Sequence, residues 1–205
     1  MIRIERTVDK TDLTEILALI KTNFKPYEIV SDSDFIYYTE NYHKLYLGED
    51  HFVYKIQIDN KLAGMFSGMI LKEFIVIIYL IIEKDYRKLS GAIGSDIMNI
   101  LLSFNKPLII EAETDLLCRL YRKWGFMRFK EPYKYFTISV DLANSEATIL
   151  SHNSNLMYYS DRSLEFEYTR NIIYDKCYLR WNSNLGKKYL NRYKEVLYKE
   201  GYKKL

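Results

Sequence analysis

Apolar positions along this chain change period several times, and each change predicts an element. Ile2 and Ile4 alternate with Arg3 and Glu5, which predicts a strand over Ile2–Arg6. Leu13, Ile16, Leu17 and Ile20 then recur at helical spacing. Asp12 and Glu15 read as a capping box opening that helix, and Lys25 and Pro26 as its stop. A second helix is predicted over 32–46, with Tyr38, Tyr42 and Tyr46 on one face. Strand-like runs return at Phe52–Ile58 and Leu62–Leu71, and Asp59-Asn60-Lys61 between them signals a hairpin. Phe74–Ile82 follows as a third antiparallel strand. Ile93, Ile97, Ile100 and Leu101 mark one buried stripe of a helix. Leu108–Ala112 reads as a strand. In the next helix, over 115–124, Leu116, Leu117, Leu120, Tyr121 and Trp124 share a face before a C-cap at Gly125. Tyr133–Leu142 reads as the strand after it.

Beyond 142 the pattern weakens. Asn144-Ser145-Glu146 and Ser151–Asn155 are polar and predict a linker, which divides the chain into a main domain over 1–142 and an extension over 143–205. From 157 onward there are 11 Lys and Arg against 6 Asp and Glu, so the positive charge sits at the C-terminus. Tyr189, Tyr193, Tyr198, Tyr202 and Trp181 are interleaved with it. Leu190, Tyr193, Val196 and Leu197 suit a helix, and Glu200-Gly201 equally suits the turn of a small hairpin. A basic, tyrosine-rich extension could contact an acidic or nucleic-acid partner, or cover the sheet. Its apolar residues Leu164, Phe166, Ile172 and Ile173 favour the covering role.

Composition excludes several classes. With 48% hydrophobic and 28% charged residues in 205, the chain suits a globular domain with a full core. The longest apolar run, Phe74–Ile82, is half what a membrane helix needs, so no membrane partner is expected. Ile2-Arg3-Ile4-Glu5 is unlike a secretion leader, and Cys118 and Cys177 lie far apart, which together lead us to expect a cytoplasmic protein. His43, His51 and His152 share no metal-ligand spacing with each other or the cysteines, and no metal site is expected.

The segment from Ile82 to Gly94 carries the chemistry. An apolar strand passes through Ile81 and Ile82 into Arg87, then through Leu89, Ser90, Gly91, Ala92, Ile93 and Gly94 into an amphipathic helix. Unpaired N–H groups and the positive dipole end at such a helix start suit an anion, and Arg87 adds a fork of donors. Ile82–Arg87 followed by Ala92 and Gly94 resembles the coenzyme A signature of GNAT acetyltransferases, with Lys84 where proline is usual. Leu120-Tyr121-Arg122-Lys123-Trp124-Gly125-Phe126 resembles that family's Leu-Tyr-x-x-x-Gly-Phe motif. The two occur in order, separated by one strand, so the resemblance covers about 1–142.

The resemblance implies an α+β fold, the GNAT acyl-CoA N-acyltransferase fold: a mixed central sheet flanked by helices, here with a C-terminal extension. It implies acetyl-CoA as cofactor and direct transfer of the acetyl group to a primary amine whose identity the residues leave open. Ile81, Ile82, Arg87, Leu89 to Gly94 and Thr114 are the expected coenzyme contacts, with the pantetheine arm between strands 74–82 and 107–112. Tyr121 is the expected acid for the departing thiolate. Glu111 and Glu113 alternate onto one side of their strand, and either could act as general base. A catalytically silent coenzyme-binding module and a nucleic-acid-associated acetyltransferase remain the alternatives.

Overall fold

The computed structural model describes residues 1–23, 48–141, 146–178 and 186–203. The helix expected over 32–46, its Tyr38, Tyr42 and Tyr46 face, the stop at Lys25-Pro26, and Trp181 lie outside the described residues. The elements are β1 (Ile2–Arg6), α1 (Lys10–Asn23), β2 (His51–Ile58), β3 (Lys61–Ile70), β4 (Ile75–Ile82), a 3-10 helix (Lys84–Leu89) and α2 (Ser90–Leu102). They continue as β5 (Leu108–Ala112), α3 (Asp115–Lys123), β6 (Met127–Arg128), β7 (Tyr133–Asp141) and β8 (Glu146–Tyr159). Last come α4 (Phe166–Ile172), a π-helical turn (Ile173–Tyr178) and α5 (Gly186–Lys199). The strands form one sheet in the order β1-β2-β3-β4-β5-β8-β6, with β7 paired to β8. Only the β4–β5 pair is parallel among the described strands.

Local signals explain most of these elements. Asp59 and Asn60 both take positive φ, 50° and 63°, as a two-residue hairpin turn demands. The α1 stripe Leu13, Ile16, Leu17 and Ile20 is buried against Val53, Met65, Tyr79 and Ile81. Its cap differs from the expected one. Asp9 Oδ1 accepts the Asp12 N–H at 2.9 Å, so the helix opens one turn earlier, and Asp12 instead accepts from Lys55 Nζ at 2.7 Å. Leu116, expected on the packed face of α3, is exposed, and Cys118 takes the buried place beside Tyr121. The reason is phase: one residue's rotation brings Cys118 and Tyr121 under the sheet and turns Leu116 out.

The expected linker is a strand. Glu146 and Ser151–Asn155 belong to β8, whose first half pairs with β7 from Glu146↔Asp141 to Ser154↔Tyr133, and whose second half pairs with β5 and β6. Its polar first half is held by ladder hydrogen bonds more than by burial, so a hydrophobic pattern does not reveal it. The last helix is settled as well. Gly201 (φ 84°) donates its N–H to Tyr198 O and Tyr202 donates to Leu197 O, a Schellman closure of α5 rather than a hairpin.

Two cores lie on opposite faces of the sheet. α2 and α3 cover one, with Ile93, Ile97, Leu101, Cys118 and Tyr121 against Phe66, Ile75, Ile77 and Ile110. The C-terminal helices cover the other, where Phe166, Ile172, Ile173, Tyr174, Tyr193, Leu197 and Tyr202 pack on Met69, Val76, Ile109 and Leu156. α1 shares that second face, and Ile78 touches both its core and the C-terminal one. Of the tail's tyrosines, Tyr193 and Tyr202 are buried core, Tyr189 is half-buried, and Tyr198 is exposed. The hydroxyl of Tyr193 donates to Phe136 O at 2.8 Å, and those of Tyr202 and Tyr174 donate to Lys134 O at 2.6 and 3.1 Å.

Burial raises the phenol pKa of Tyr121, Tyr174 and Tyr193, and raises that of Tyr202 to about 12. These groups keep their protons in the folded chain at pH values where an unfolded tyrosine, with a pKa near ~10, loses its own. Their contribution is therefore complete below pH ~10 and is lost as pH climbs from there toward the folded values. We expect the melting temperature to fall steeply above pH ~10. Tyr202→Phe should flatten that fall while costing about 1 kcal/mol at neutral pH through the lost hydrogen bond to Lys134. Thermal melts across pH 8 to 11.5 check both.

Candidate active site

The parallel ladder between β4 and β5 has three pairs, Ile75↔Leu108, Val76↔Ile109 and Ile77↔Ile110. There it stops, because β4 bulges: Gly68 of β3 faces Ile77, Ser67 faces Tyr79, and Ile78 between them has no opposite residue. A Cβ at Gly68 would lie 2.2 Å from Val76 O, so only glycine allows this close approach of β3. The next residue on β5, Glu111, is the first beyond the last pair. Ile109 packs in the C-terminal core and Ile110 and Ala112 in the α2–α3 core, so alternation sends Glu111 and Glu113 to the C-terminal face.

Past the end of β4 comes the start of α2. The segment expected as an open small-residue loop is largely helical, a 3-10 turn over Lys84–Leu89 running into α2 at Ser90. Ser90 donates its backbone N–H to Arg87 O, so that group is already paired. Leu89, the N-cap, provides no side-chain hydrogen bond, and the first turn of α2 carries no acidic residue, so nothing in the chain's own first turn offsets the helix dipole. Arg87, Leu89, Gly91 and Ala92 are exposed, and a Cβ at Gly91 would meet nothing within 4 Å. Arg87 Nε donates to Ile82 O at 3.0 Å, which anchors its guanidinium at the end of β4. Ile93 is buried in the α2–α3 core and Ile81 in the α1 core, so both can meet a ligand only through backbone; Ile82 is half-buried. Gly94 also has a packing role. A Cβ there would lie 2.2 Å from the Trp124 indole, so this glycine admits the α3 tryptophan.

Tyr121 is buried, with its ring 5.6 Å from Trp124 and 6.0 Å from Phe126. Burial, then the neighbouring Cys118 and Glu113, pushes its pKa well above the ordinary phenol value, so it holds its proton. Glu111 accepts from Tyr133 Oη at 2.7 Å, and exposed Glu113 accepts from Tyr135 Oη at 2.8 Å. Thr114 caps α3, its Oγ1 accepting from Leu117 N–H at 3.2 Å, which leaves its O–H as a donor. Asn155 Nδ2 donates to Ala112 O at 3.0 Å and closes the end of β5. Tyr133, Tyr135, Ser154 and Asn155 are neighbours that the sequence reading missed. Tyr133 and Tyr135 repeat the two-residue spacing of Glu111 and Glu113, the one signal that could have paired them. Among the described residues there is no cluster of three metal-ligating side chains, and no helix is long and apolar enough to cross a membrane.

No protein-family model matches the chain, and no curated protein matches it in sequence. Solved structures do. A GNAT-family protein from Bacteroides thetaiotaomicron is similar over 86% of this chain and 98% of its own, at 16% identity and TM-score 0.60. Escherichia coli ElaA matches over 78% of this chain and 100% of its own, at 17% identity and TM-score 0.54. The ribosomal-protein-S18-alanine N-acetyltransferase of Escherichia coli matches over 81% and 100%, at 15% identity and TM-score 0.52. At these identities the likeness is one of fold. The chain has the GNAT acyl-CoA N-acyltransferase fold, a mixed sheet flanked by helices.

The two glycines of α2 should respond oppositely to substitution. Gly94→Val should cost about 1–3 kcal/mol, since its side chain enters space held by Trp124. Gly91→Ala should leave the melting temperature unchanged or slightly higher. Thermal melts of the two variants decide it.

Proposed function

We propose that this chain is an N-acetyltransferase that carries an acetyl group from acetyl-CoA to a primary amine by direct attack, with both substrates bound together. The observation that supports this best is the end of the parallel β4–β5 ladder at Ile77 and Ile110, just before Glu111. The uncompensated start of α2 belongs to one face and the two carboxylates to the other. The residues fit the coenzyme: open space above Gly91, exposed Arg87 and the capless first turn suit a diphosphate. Leu89, Ser90, Gly91, Ala92, Ile93 and Gly94 would form that cradle, and the backbone of Ile81 and Ile82 with the Thr114 hydroxyl would line the arm. The coenzyme supplies the acetyl group as an activated thioester.

The chain's own residues supply the proton handling. Glu111, oriented by the Tyr133 hydroxyl, takes the proton that the amine must lose. Tyr121, kept protonated by burial, donates a hydrogen bond from Oη where negative charge develops on sulfur. Glu113 lies one strand repeat away and serves binding in this scheme. The silent-module alternative draws support from the packed ring of Tyr121. The nucleic-acid alternative is weakened, because Tyr193 and Tyr202 are core. Cys118 and Cys177, buried and not joined in a disulfide, fit the reducing cytoplasm as the place of action.

Coenzyme A at about a hundredfold excess over its dissociation constant should stabilise the chain by about 2.7 kcal/mol, and Gly91→Phe should remove that shift with little change in the unliganded melt. No shift at millimolar coenzyme would sink the assignment.

Glu111→Gln should lower kcat on any accepted amine about a hundredfold or more, with coenzyme binding unchanged. Tyr121→Phe should lower kcat more than it weakens coenzyme binding. If Tyr121→Phe melts earlier and turns over normally, the phenol is a core residue only. Steady-state assays following coenzyme release, with product mass, read both variants.

A further inference from the structure

Ser154 places a polar atom where the fold gives it nothing to bond. Its side chain is 9% exposed and its hydroxyl is buried without a hydrogen-bond partner. The register shows what surrounds it. Glu111 lies opposite Leu156 and Ala112, the last residue of β5, opposite Asn155, so continuing that register past the strand end would bring Glu113 toward Ser154. On the other side Ser154 is the direct partner of Tyr133. Alternation puts Ser154 on the same face as Leu156 in the C-terminal core, the face that carries Tyr133, Tyr135 and both carboxylates. Ser154 thus stands amid two phenol–carboxylate pairs, Tyr133 with Glu111 and Tyr135 with Glu113. Tyr135 is further fixed by stacking on His152, centroids 4.8 Å apart.

A buried hydroxyl left unsatisfied is costly, so it persists where a ligand completes it. Carboxylates beside it select a donor with positive charge. We propose that Glu113 and Ser154 form a subsite for a second ammonium group on the acceptor, which makes the acceptor an aliphatic diamine. The inference rests on the reading of Glu111 as the base for the reacting amine. Glu111 and Glu113 are two residues apart on one strand, about 7 Å at ~3.3 Å per residue. That separation suits nitrogens joined by roughly four or five methylenes. The reacting nitrogen gives its proton to Glu111. The far nitrogen stays an ammonium, donating to the Glu113 carboxylate and to Ser154 Oγ.

Two measurements on the full chain test this. In turnover, the series from 1,3-diaminopropane to 1,6-diaminohexane is compared with butylamine in the presence of acetyl-CoA. We expect kcat/KM for the four- or five-carbon diamine to exceed that for butylamine by about tenfold or more. Ser154→Ala and Glu113→Gln should each lower that ratio at least fivefold, chiefly through KM. In binding, calorimetry with 1,4-diaminobutane and the coenzyme A complex needs no turnover, and both variants should weaken the diamine at least fivefold. Diamine binding with these losses but no turnover on any amine keeps the subsite and overturns the transfer reading. Turnover with no preference for diamines, or absence of diamine binding, overturns the subsite. So does a Ser154→Ala chain that melts higher and keeps its selectivity, which would mean the hydroxyl is only a tolerated defect or holds water.

Discussion

The arrangement of the sheet around the candidate site depends on one unmatched residue in β4. Ile78 has no opposite number on β3, and the strand both turns and changes phase there. Before it, Ile75 and Ile77 face α2 and α3 while Val76 faces the C-terminal helices. After it, Tyr79 and Ile81 face α1. A regular strand would keep pairing with β5 to its end and seal the sheet. The bulge ends the parallel ladder at Ile77 and Ile110, just before Glu111.

The C-terminal residues solve the opposite problem. Among the described residues β7 pairs with β8 alone, and an exposed edge invites pairing with another chain. The outward carbonyls of Lys134 and Phe136 are taken by the hydroxyls of Tyr174, Tyr202 and Tyr193. Arg170 stacks over the Tyr202 ring at 4.3 Å and donates to Gly201 O, which ties the last turn of the chain down. A phenol can fill a core and satisfy a carbonyl at once, so tyrosine suits this place. The abundance of tyrosine that suggested base stacking has, at Tyr193 and Tyr202, an internal purpose.

Much of this was legible from the residues, and the failures have physical causes. Period and turn chemistry located β1 to β5, α2 and α3, because those elements bury one face or a whole strand and so carry strong patterns. The polar half of β8 was missed since its stability lies in hydrogen bonds to β7, which leave no trace in hydrophobicity. Glu111 and Glu113 were found by alternation alone. Their tyrosine partners lie 22 residues away, and Ser154 is further still, so no local pattern could join them. Gly94 also packs on Trp124, a contact between two segments that a single sequence does not display.

That contact also links the two motifs that made the fold recognisable. The Trp124 indole rests on Gly94 of α2, and its ring lies 5.6 Å from that of Tyr121. Gly125, at φ 91°, turns the chain so that Phe126 packs on both Tyr121 and Tyr159. One indole therefore sets both the distance of the α2 N-terminus from α3 and the position of the phenol. Interiors are close-packed, so neither helix can shift without moving the other. A smaller residue at 124 would free α2 and Tyr121 together. The placement of the α2 start and that of Tyr121 are thus one packing problem in this chain, and substitutions at Gly94, Trp124 or Gly125 should couple energetically rather than add.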